Sequence, residues 1–563
     1  MRAGTEPVRM WILAAFLSAT LSASGAAQAE AAMTVSPPGS VIYTIRPVPL
    51  ADRTDLEVEL TWTPHPGEPL QAGLVEDCYG VPDLAAAVVQ IEAREGSAVS
   101  IGDQPLLRSL APSPDGRVRL RYRLSFDPIE MADWPFSPST GPDHVHVANC
   151  QWMLRLGDPT ITREHQIAFD QLPSGWLSYA TVAQEKPVSG AFQAIASGAI
   201  GASIGPHRRF MVEDRPVDAF ASDDLALPAE DILDAVEAVV RLQRAWMNDF
   251  DFDRYTVVVR ARAGFVAGTA PPNFFVAFVR PDVRPVELLG ILSHEMFHSW
   301  IMGRLAVAPS RGPSAPALDW FNEGVTEYLG RRALLEAGLI DSDQFVGMFN
   351  SDLRALADHP HATATLEQAV AAAQQGRYGG DWKKLGYFRG ALIGLVWDHQ
   401  LRRRGGSLHQ VVADLVAKAR TKQAPLTEEE LFQELEKAGI QARADVGRWI
   451  HAGSPIQLPP DVMGPGWAVT SAATPSWLPG FDLRQSFSSG VIAGVDPDGP
   501  AWQAGLRDGL TLVRTANAGR FTNGFRHDEP LTVVVLDQDD AELAVSYRAE
   551  GPRRDVPQIT RSR

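Results

Sequence analysis

The sequence predicts a multidomain α+β protein, and three observations support that fold class. The chain has 563 residues, too many for one hydrophobic core, so we expect three or four domains. Its N-terminal part alternates apolar and polar residues as strands do, whereas its middle shows helical periodicity. A proline-rich segment at residues 455–465 then precedes a last region with strand patterns. We therefore place domains at residues 34–182, 186–341, 342–454 and 463–552.

The composition is that of an ordinary globular protein. Hydrophobic residues make up 45% of the chain and charged residues 21%, which argues against disorder. The formal net charge of −17 argues against nucleic acid as a partner and favours solubility. The net charge does not indicate which substrate the protein acts on.

Residues 1–29 have the layout of a secretory signal peptide. Arg2 and Arg9 precede an apolar stretch at residues 10–21, and small residues lead to Ala29. The apolar stretch is too short for a stable membrane span, although an uncleaved anchor is the alternative. No later run reaches the length of a membrane span. The sequence thus predicts a periplasmic or secreted protein without a stable membrane span.

The first domain is predicted to be a β-sandwich. Two runs alternate apolar and polar residues, at positions 56–62 and 118–126, and Pro and Gly clusters separate such runs. The two cysteines of the chain, Cys78 and Cys150, both lie in this domain. Export would permit a disulfide between them, and two buried free thiols are the alternative.

The second domain carries the most informative motif of the chain. A helix is predicted at residues 228–249, then strands at 255–260 and 274–279. An apolar helix follows and contains His294-Glu295-Met296-Phe297-His298. Residues four apart share one helix face, so both imidazoles can reach one metal ion. Glu295 would then face the fourth coordination position, where a water would lie.

A third ligand is predicted about 25 residues downstream. Residues 319–328 indicate a helix that opens with an Asp or Asn cap and contains Glu323 and Glu327. Catalytic zinc sites commonly use two His and one Glu, and Glu323 is the candidate. Glu327, one turn later, could accept the free N–H of a ligand histidine, although a solvated helix charge is the alternative.

These residues carry a family resemblance. The HExxH motif followed by Trp-Phe-Asn-Glu-Gly-Val-Thr-Glu-Tyr resembles the gluzincin metallopeptidases, and more narrowly the glycyl aminopeptidase family, whose members often end in a PDZ domain. Trp300 and Arg304 match positions where that family continues with Trp and a basic residue. Residues 387–390, Tyr-Phe-Arg-Gly, resemble the family's Tyr-x-Lys-Gly element. The resemblance implies that Tyr387 stabilises the oxyanion.

The remaining domains complete the predicted order of a β-sandwich, a thermolysin-like zinc lobe, a helical domain and a PDZ-like domain. The helical region should contain one helix at residues 385–404 and another that begins near Thr427. In the last domain, residues 490–495 and 500–506 resemble the strand and helix start of a PDZ domain. Strands at 531–536 and 543–547 would complete it. A peptide-carboxylate loop would be formed by Gly480, Phe481, Asp482 and Leu483.

The predicted function is an exported zinc metallopeptidase with one Zn²⁺ per chain. Glu295 would be the general base, and the substrates would be peptides or proteins. The PDZ-like domain could also bind a C-terminal peptide. A non-catalytic peptide-binding protein and another zinc hydrolase, such as an epoxide hydrolase, are the alternatives. The intact Glu295 speaks against the first of these.

One departure from the family concerns the position of cleavage. Glycyl aminopeptidases carry a Gly-Gly-x-Glu-His-like stretch before the zinc helix, and its acidic residue can meet a free amino terminus. Residues 264–276 contain no acidic residue here. A buried ammonium without a carboxylate would be poorly tolerated, so we expect weak preference for N-terminal glycine. A carboxylate from the helical domain is the alternative source.

Overall fold

The structure, a computed structural model, describes most of the chain after residue 38. The described residues are 39–101, 107–127, 136–182, 186–262, 266–305, 315–378, 380–422, 426–515, 530–537 and 540–562. The predicted signal peptide lies outside them. Among the described helices, none is long and apolar enough to cross a membrane. The multidomain α+β class is confirmed.

Three sheets and three short helices build the N-terminal β region around one apolar core. The six-stranded sheet runs in the order Val188–Gly190, Arg163–Phe169, Ser40–Pro49, Thr54–Trp62, Val118–Leu124 and Val88–Ala93. One four-stranded sheet has the order Ser139–Gly141, His144–Ala148, Ala199–Ser203 and Leu177–Ala180. The other has the order Arg155–Leu156, Gln71–Gly73, Leu107–Ala111 and Ala98–Ile101. A hairpin of Asp77–Cys78 with Val81–Pro82 and helices Leu84–Ala87, Asn149–Trp152 and Phe192–Ala196 complete the region.

The alternation read from the sequence is visible in these strands. Side chains of Val118–Leu124 are alternately buried and half-buried, because one face of the sheet covers the core. The region extends beyond the predicted limit at residue 182. Strands Val188–Gly190 and Ala199–Ser203 pair with strands of two of its sheets.

A five-stranded sheet with three largely buried strands follows. Its order is His207–Val212, Arg215–Ala221, Tyr255–Ala261, Phe274–Val279 and Ala267–Thr269. The three central strands run parallel, and Ala267–Thr269 is an antiparallel edge. Aromatic and aliphatic residues on one face, such as Phe274 and Phe278, pack with Tyr179 of the β region. Helix Ala229–Trp246 covers the opposite face. The predicted strand at 274–279 has the observed limits.

The helical part shares a single core with this sheet. Its helices are Pro285–His298, Thr326–Glu336, Ser342–Asp358, Leu366–Gln374, Asp381–Arg402, Leu408–Lys422, Glu428–Lys437 and Ala442–Val446. Short 3-10 or π-helical turns occur at Ser299–Arg304, Ala315–Ala317, Trp320–Val325 and Gly447–His451. One apolar cluster runs from Phe210 to Ile450, so the predicted limit at 341/342 divides the sequence but not the core. A helix begins next to Thr427 as predicted, and the Thr427 side chain caps it by accepting from the Glu430 N–H.

The C-terminal part contains a long ribbon and a small distal core. Strands Trp467–Trp477 and Glu550–Arg561 form the ribbon, which packs on helix Ser342–Asp358. A three-stranded sheet of Leu512–Thr515, Leu531–Leu536 and Glu542–Tyr547 joins helices Leu483–Ser489 and Pro500–Gln503 around the distal core. The helix start at residue 500 and the strand at 531–536 agree with the prediction.

Two expectations for this part are wrong in detail. The predicted strand at residues 490–495 is reduced to an isolated bridge between Val491 and Thr511. Leu483, expected in a peptide-binding loop, begins a helix instead. Asp482 caps that helix, because its carboxylate accepts from the Gln485 N–H at 2.9 Å. The N–H of Asp482 itself donates to the carbonyl oxygen of Ala493 and is not free to bind a carboxylate.

Candidate metal centre

Helix Pro285–His298 brings the three motif residues into the protein interior. Pro285 occupies its first turn, where a missing N–H costs no hydrogen bond. His294, Glu295 and His298 are all buried, with exposed fractions of 5%, 4% and 6%. Ionisable groups are seldom buried in this way unless something pairs with them.

Three potential ligand atoms converge at this point. His294 Nε2 and His298 Nε2 are 3.0 Å apart, and each is 3.4 Å from Glu323 Oε2. With bonds of about 2.0–2.1 Å, a tetrahedral zinc ion separates its ligands by about 3.3 Å. The three described residues thus form a triangle of the size that zinc requires.

The hydrogen bonding of the triangle also fits a cation. Glu323 Oε2 is buried and has no hydrogen-bond partner among the described atoms. Burial favours a neutral carboxyl, but the two imidazoles, each 3.4 Å from Oε2, hold the pKa of Glu323 well below its usual range. An ionised, buried oxygen without a complete set of donors is a site that a metal ion would satisfy.

Glu323 reaches this position through a π-helical turn, Trp320–Val325, which leads into helix Thr326–Glu336. Asp319 stands before the turn but does not cap it. Its carboxylate accepts instead from the Tyr378 hydroxyl at 2.8 Å, so the predicted cap is wrong. Burial, partly offset by that hydrogen bond, raises the pKa of Asp319 to about 7.

Close backbone packing positions the turn. A Cβ atom built on Gly324 would lie 2.4 Å from the Cα atom of Gly390 in helix Asp381–Arg402. A Cβ atom on Gly390 would lie 1.8 Å from the carbonyl oxygen of Trp320. Glycine at both positions lets the two segments touch, which brings the Glu323 turn beside the helix that carries Tyr387.

Glu327 supports the first histidine through a chain of hydrogen bonds. Its Oε2 atom lies 2.7 Å from His294 Nδ1, and its Oε1 atom accepts from Arg331. Arg331 also donates to the buried Asp352 at 2.5 Å. Burial opposes a charge on His294, but hydrogen bonds to Glu323 and Glu327 raise its pKa to about 10. Because Glu327 holds the Nδ1 proton, Nε2 is the nitrogen that faces the triangle, and a bound metal ion would take the place of its proton.

Glu295 lies under the edge strand Ala267–Thr269. A Cβ atom built on Gly268 would be 2.2 Å from Glu295 Cδ and 2.4 Å from Cγ. Only glycine lets the strand pass so close to this carboxylate. Burial, with a smaller opposing effect of the two histidines, raises the pKa of Glu295.

Tyr387 faces the same centre from helix Asp381–Arg402. Its ring is stacked on that of His294, with centroids 5.6 Å apart and an interplanar angle of 14°. Burial and the charge of Glu323 raise the pKa of the Tyr387 hydroxyl well above its usual range, so the hydroxyl remains a donor. Arg389, the basic residue of the same element, donates to the carbonyls of Ala362 and Ala364 outside the centre.

A cavity of about 1070 Å³ opens over these residues. Its walls come from the β region, the edge strand, helix Pro285–His298 (the metal helix), and helices Ser342–Asp358 and Asp381–Arg402. Cys78 and Cys150 form a disulfide that lines the cavity. The predicted loop residues Gly480, Phe481, Asp482 and Leu483 are not among the lining residues and belong to the distal part of the chain.

Sequence reasoning missed three neighbours of the centre. Gly268 lies in the stretch inspected for an acidic residue, where a single glycine gives little signal. Arg331 follows Glu327 by one helical turn, a spacing that permits an ion pair. Lys384 precedes Tyr387 by three residues on the same helix and also lines the cavity.

The comparisons with known proteins agree with this geometry. Residues 287–388 match the M61 glycyl aminopeptidase family. An aminopeptidase N family protein from Idiomarina loihiensis resembles the structure with a TM-score of 0.65 at 15% identity, covering 93% of this chain and 98% of that one. An M1 zinc metallopeptidase from Deinococcus radiodurans gives a TM-score of 0.43 at 14% sequence identity. That comparison covers 75% of this chain and 94% of the other. No curated protein sequence matches the chain.

The matched segment contains the triangle, Glu295 and Tyr387, and the Idiomarina loihiensis protein shares the overall fold. Over residues 287–388 the chain is therefore similar to the metallopeptidases of the M61 glycyl aminopeptidase family.

Proposed function

We propose that this protein is an exported zinc peptidase that hydrolyses peptide bonds with His294, His298 and Glu323 as metal ligands and Glu295 as general base. The observation that carries the proposal is the buried triangle with its unpartnered Glu323 oxygen. Glu295 and Tyr387 border the same cavity. A non-catalytic peptide-binding protein would have no need of a buried general base beside the ligands.

Zinc, when bound, supplies a Lewis acid that activates water and polarises the scissile carbonyl. Glu295 accepts the proton of the attacking water and passes it to the leaving amine. The Tyr387 hydroxyl donates to the oxygen on which negative charge develops. Glu327 keeps His294 in the tautomer that presents Nε2.

The remaining assignments are part of the same proposal. Residues 1–29 would be the signal peptide, and the Cys78–Cys150 disulfide supports export because such bonds persist in oxidising compartments. The β-sandwich, the thermolysin-like lobe and the PDZ-like domain are proposed at the limits given above, with the β region extended to residue 203. The Asp482 cap weakens the peptide-carboxylate role of residues 480–483.

Zinc content and a peptide-library digest test the proposal. The purified protein should bind one zinc per chain and cleave library peptides. Glu295→Gln is the matched control, because it keeps the size and hydrogen bonding of the side chain but removes the base. That variant should retain zinc and lose peptidase turnover by several orders of magnitude. Normal turnover in it would remove Glu295 from the mechanism.

We also propose weak preference for a free N-terminal glycine, with cleavage within peptides as one consequence. The edge strand Ala267–Thr269 offers backbone groups but no carboxylate. Asp352, from helix Ser342–Asp358, pairs with Arg331 and is unsuited to bind an ammonium as well. Among the described residues, Asp77 of the β region and Glu287 are the other cavity carboxylates outside the centre, and Glu287 pairs with Arg280. A glycine-leading peptide compared with its N-acetylated twin decides the matter, and strong preference for the free amine would contradict this proposal.

A further inference from the structure

The ammonium of Lys384 faces the cavity without a carboxylate partner. Lys384 lies in the first turn of helix Asp381–Arg402 and lines the cavity. Its Nζ atom is 4.7 Å from the ring centroid of Tyr387. Within the part of the chain that the structure describes, no carboxylate oxygen lies within 4 Å of this atom, since no ion pair of Lys384 is found.

Neighbouring cations of the cavity differ from Lys384 in this respect. Arg331 is shared between Glu327 and Asp352. Arg280 pairs with Glu287 at 3.3 Å, and Lys383 pairs with Glu323, also at 3.3 Å. These charges are neutralised by carboxylates of the protein. Lys384 is therefore the cation of this wall best placed to meet an anion from outside.

The surroundings of Lys384 favour such an anion. Burial lowers the pKa of the Lys384 ammonium, although the more distant charges of Glu327, Glu323 and Asp352 act in the opposite direction. A carboxylate brought beside it would restore the lost solvation. The amino-terminal end of a 22-residue helix adds a favourable dipole for negative charge at the same place.

We infer that Lys384 forms a subsite for a carboxylate of the bound peptide, either an acidic side chain or the C-terminal carboxylate. The inference rests on the proposed peptidase function, because it places the subsite beside Tyr387 in the substrate cavity. It makes Lys384 a specificity-determining residue: it would recognise substrate charge without taking part in bond cleavage.

Binding to zinc-loaded Glu295→Gln protein tests the subsite without turnover. One arm compares a neutral pentapeptide carrying a free C-terminal acid with its C-terminal amide. The second arm moves one Glu through the five positions of the amide peptide and compares each with its Gln twin. A carboxylate at the matching position should tighten binding about tenfold, as expected for one charged hydrogen bond. The arm that shows the preference identifies the source of the carboxylate.

Three further substitutions in the same background assign the preference to this residue. Lys384→Met keeps the aliphatic length and should reduce the preference to within about twofold, as expected when a single charged hydrogen bond is lost. Lys384→Arg keeps the positive charge and should retain most of the preference for the carboxylate peptide. Lys437→Met is the matched control, because Lys437 is 68% exposed and pairs only with the surface residue Glu434. It should bind both peptides as the parent does.

The outcomes separate the subsite from the peptidase proposal. Equal binding of acid and neutral peptides in both arms would overturn the subsite. Weaker binding of every peptide to Lys384→Met, with an unchanged ratio, would do so as well and would make Lys384 a support for Tyr387. A carboxylate preference that disappears in Lys384→Met supports the subsite even if the unmodified protein cleaves none of the peptides. In that case only the peptidase proposal fails.

Discussion

Two buried groups of charged residues lie along the metal helix and its continuation, and their contents differ. The first is the triangle of His294, His298 and Glu323. The second surrounds Asp249, near the turn Ser299–Arg304. Asp249 Oδ2 accepts from Trp300 Nε1 at 2.8 Å, and Oδ1 accepts from the Asp251 N–H at 3.1 Å. Arg244, Arg304 and Arg420 also form ion pairs with it.

The difference teaches how a structural charge can be told from a metal site. Asp249 and Glu323 are both ionised and buried, with exposed fractions of 1% and 4%. Both oxygens of Asp249 have donors from the protein, so its charge is compensated within the fold. Glu323 Oε2 lacks a hydrogen bond and faces two imidazole nitrogens that can each give a lone pair. Burial alone does not distinguish the structural carboxylate from the metal-site carboxylate, whereas their hydrogen-bond partners do.

The largest effect is expected at the triangle itself. Glu323→Ala removes one of three ligand atoms, so zinc affinity should fall by more than the roughly 100-fold limit for supporting residues. Competition with a chelating dye measures it, and circular dichroism checks the fold. A smaller loss than that of Glu327→Ala would reverse the roles given to the two residues.

The structural cluster should respond in stability and not in metal binding. Asp249→Ala leaves three arginines without their carboxylate, which should cost about 3–5 kcal/mol of unfolding free energy in urea. Folded protein should still bind one zinc. Asp253→Ala is a matched control, because Asp253 is 90% exposed and its pair with Arg215 contributes little. Loss of zinc at unchanged stability would break the distinction between the two clusters.

The support of His294 should give a smaller effect. Glu327→Ala should weaken zinc binding about 10–100-fold, because the imidazole loses the partner that fixes its tautomer. Glu327→Gln sharpens the test, since it can still accept from Nδ1 but lacks the charge that Arg331 balances. We expect its affinity to lie between those of the Ala variant and the parent, again measured by dye competition.

The smallest effect is expected at the edge strand. Gly268→Ala places a Cβ atom against Glu295, so the carboxylate must shift. Turnover should fall about tenfold, which corresponds to about 1.4 kcal/mol of activation free energy, while zinc affinity stays unchanged. Gly447→Ala is the control, because its Cβ atom would meet nothing within 4 Å. A drop in zinc affinity in the Gly268 variant would show that the strand bears on the ligands.

Much of the centre could be predicted because its parts are local in sequence. His294 and His298 share a helix face by their spacing alone, and so do Glu323 and Glu327. Strand 274–279 and the helix start near Thr427 were predictable for the same reason. The role of Asp319 was predicted wrongly because the Tyr378 hydroxyl donates to its carboxylate. The loop at Leu483 was predicted wrongly because the carboxylate of the preceding Asp482 accepts from the Gln485 N–H and starts a helix there.

The sequence by itself determined which side chains could bind and activate a metal, since helix periodicity fixes neighbours within one turn. Only the tertiary structure decided that Glu323 meets both histidines at 3.4 Å, because two glycines allow separate segments to touch. It also decided that Arg331 is neutralised while Lys384 lines the cavity with no carboxylate of the described residues within 4 Å of its ammonium. Such differences depend on contacts between elements far apart in the chain, which no local pattern encodes.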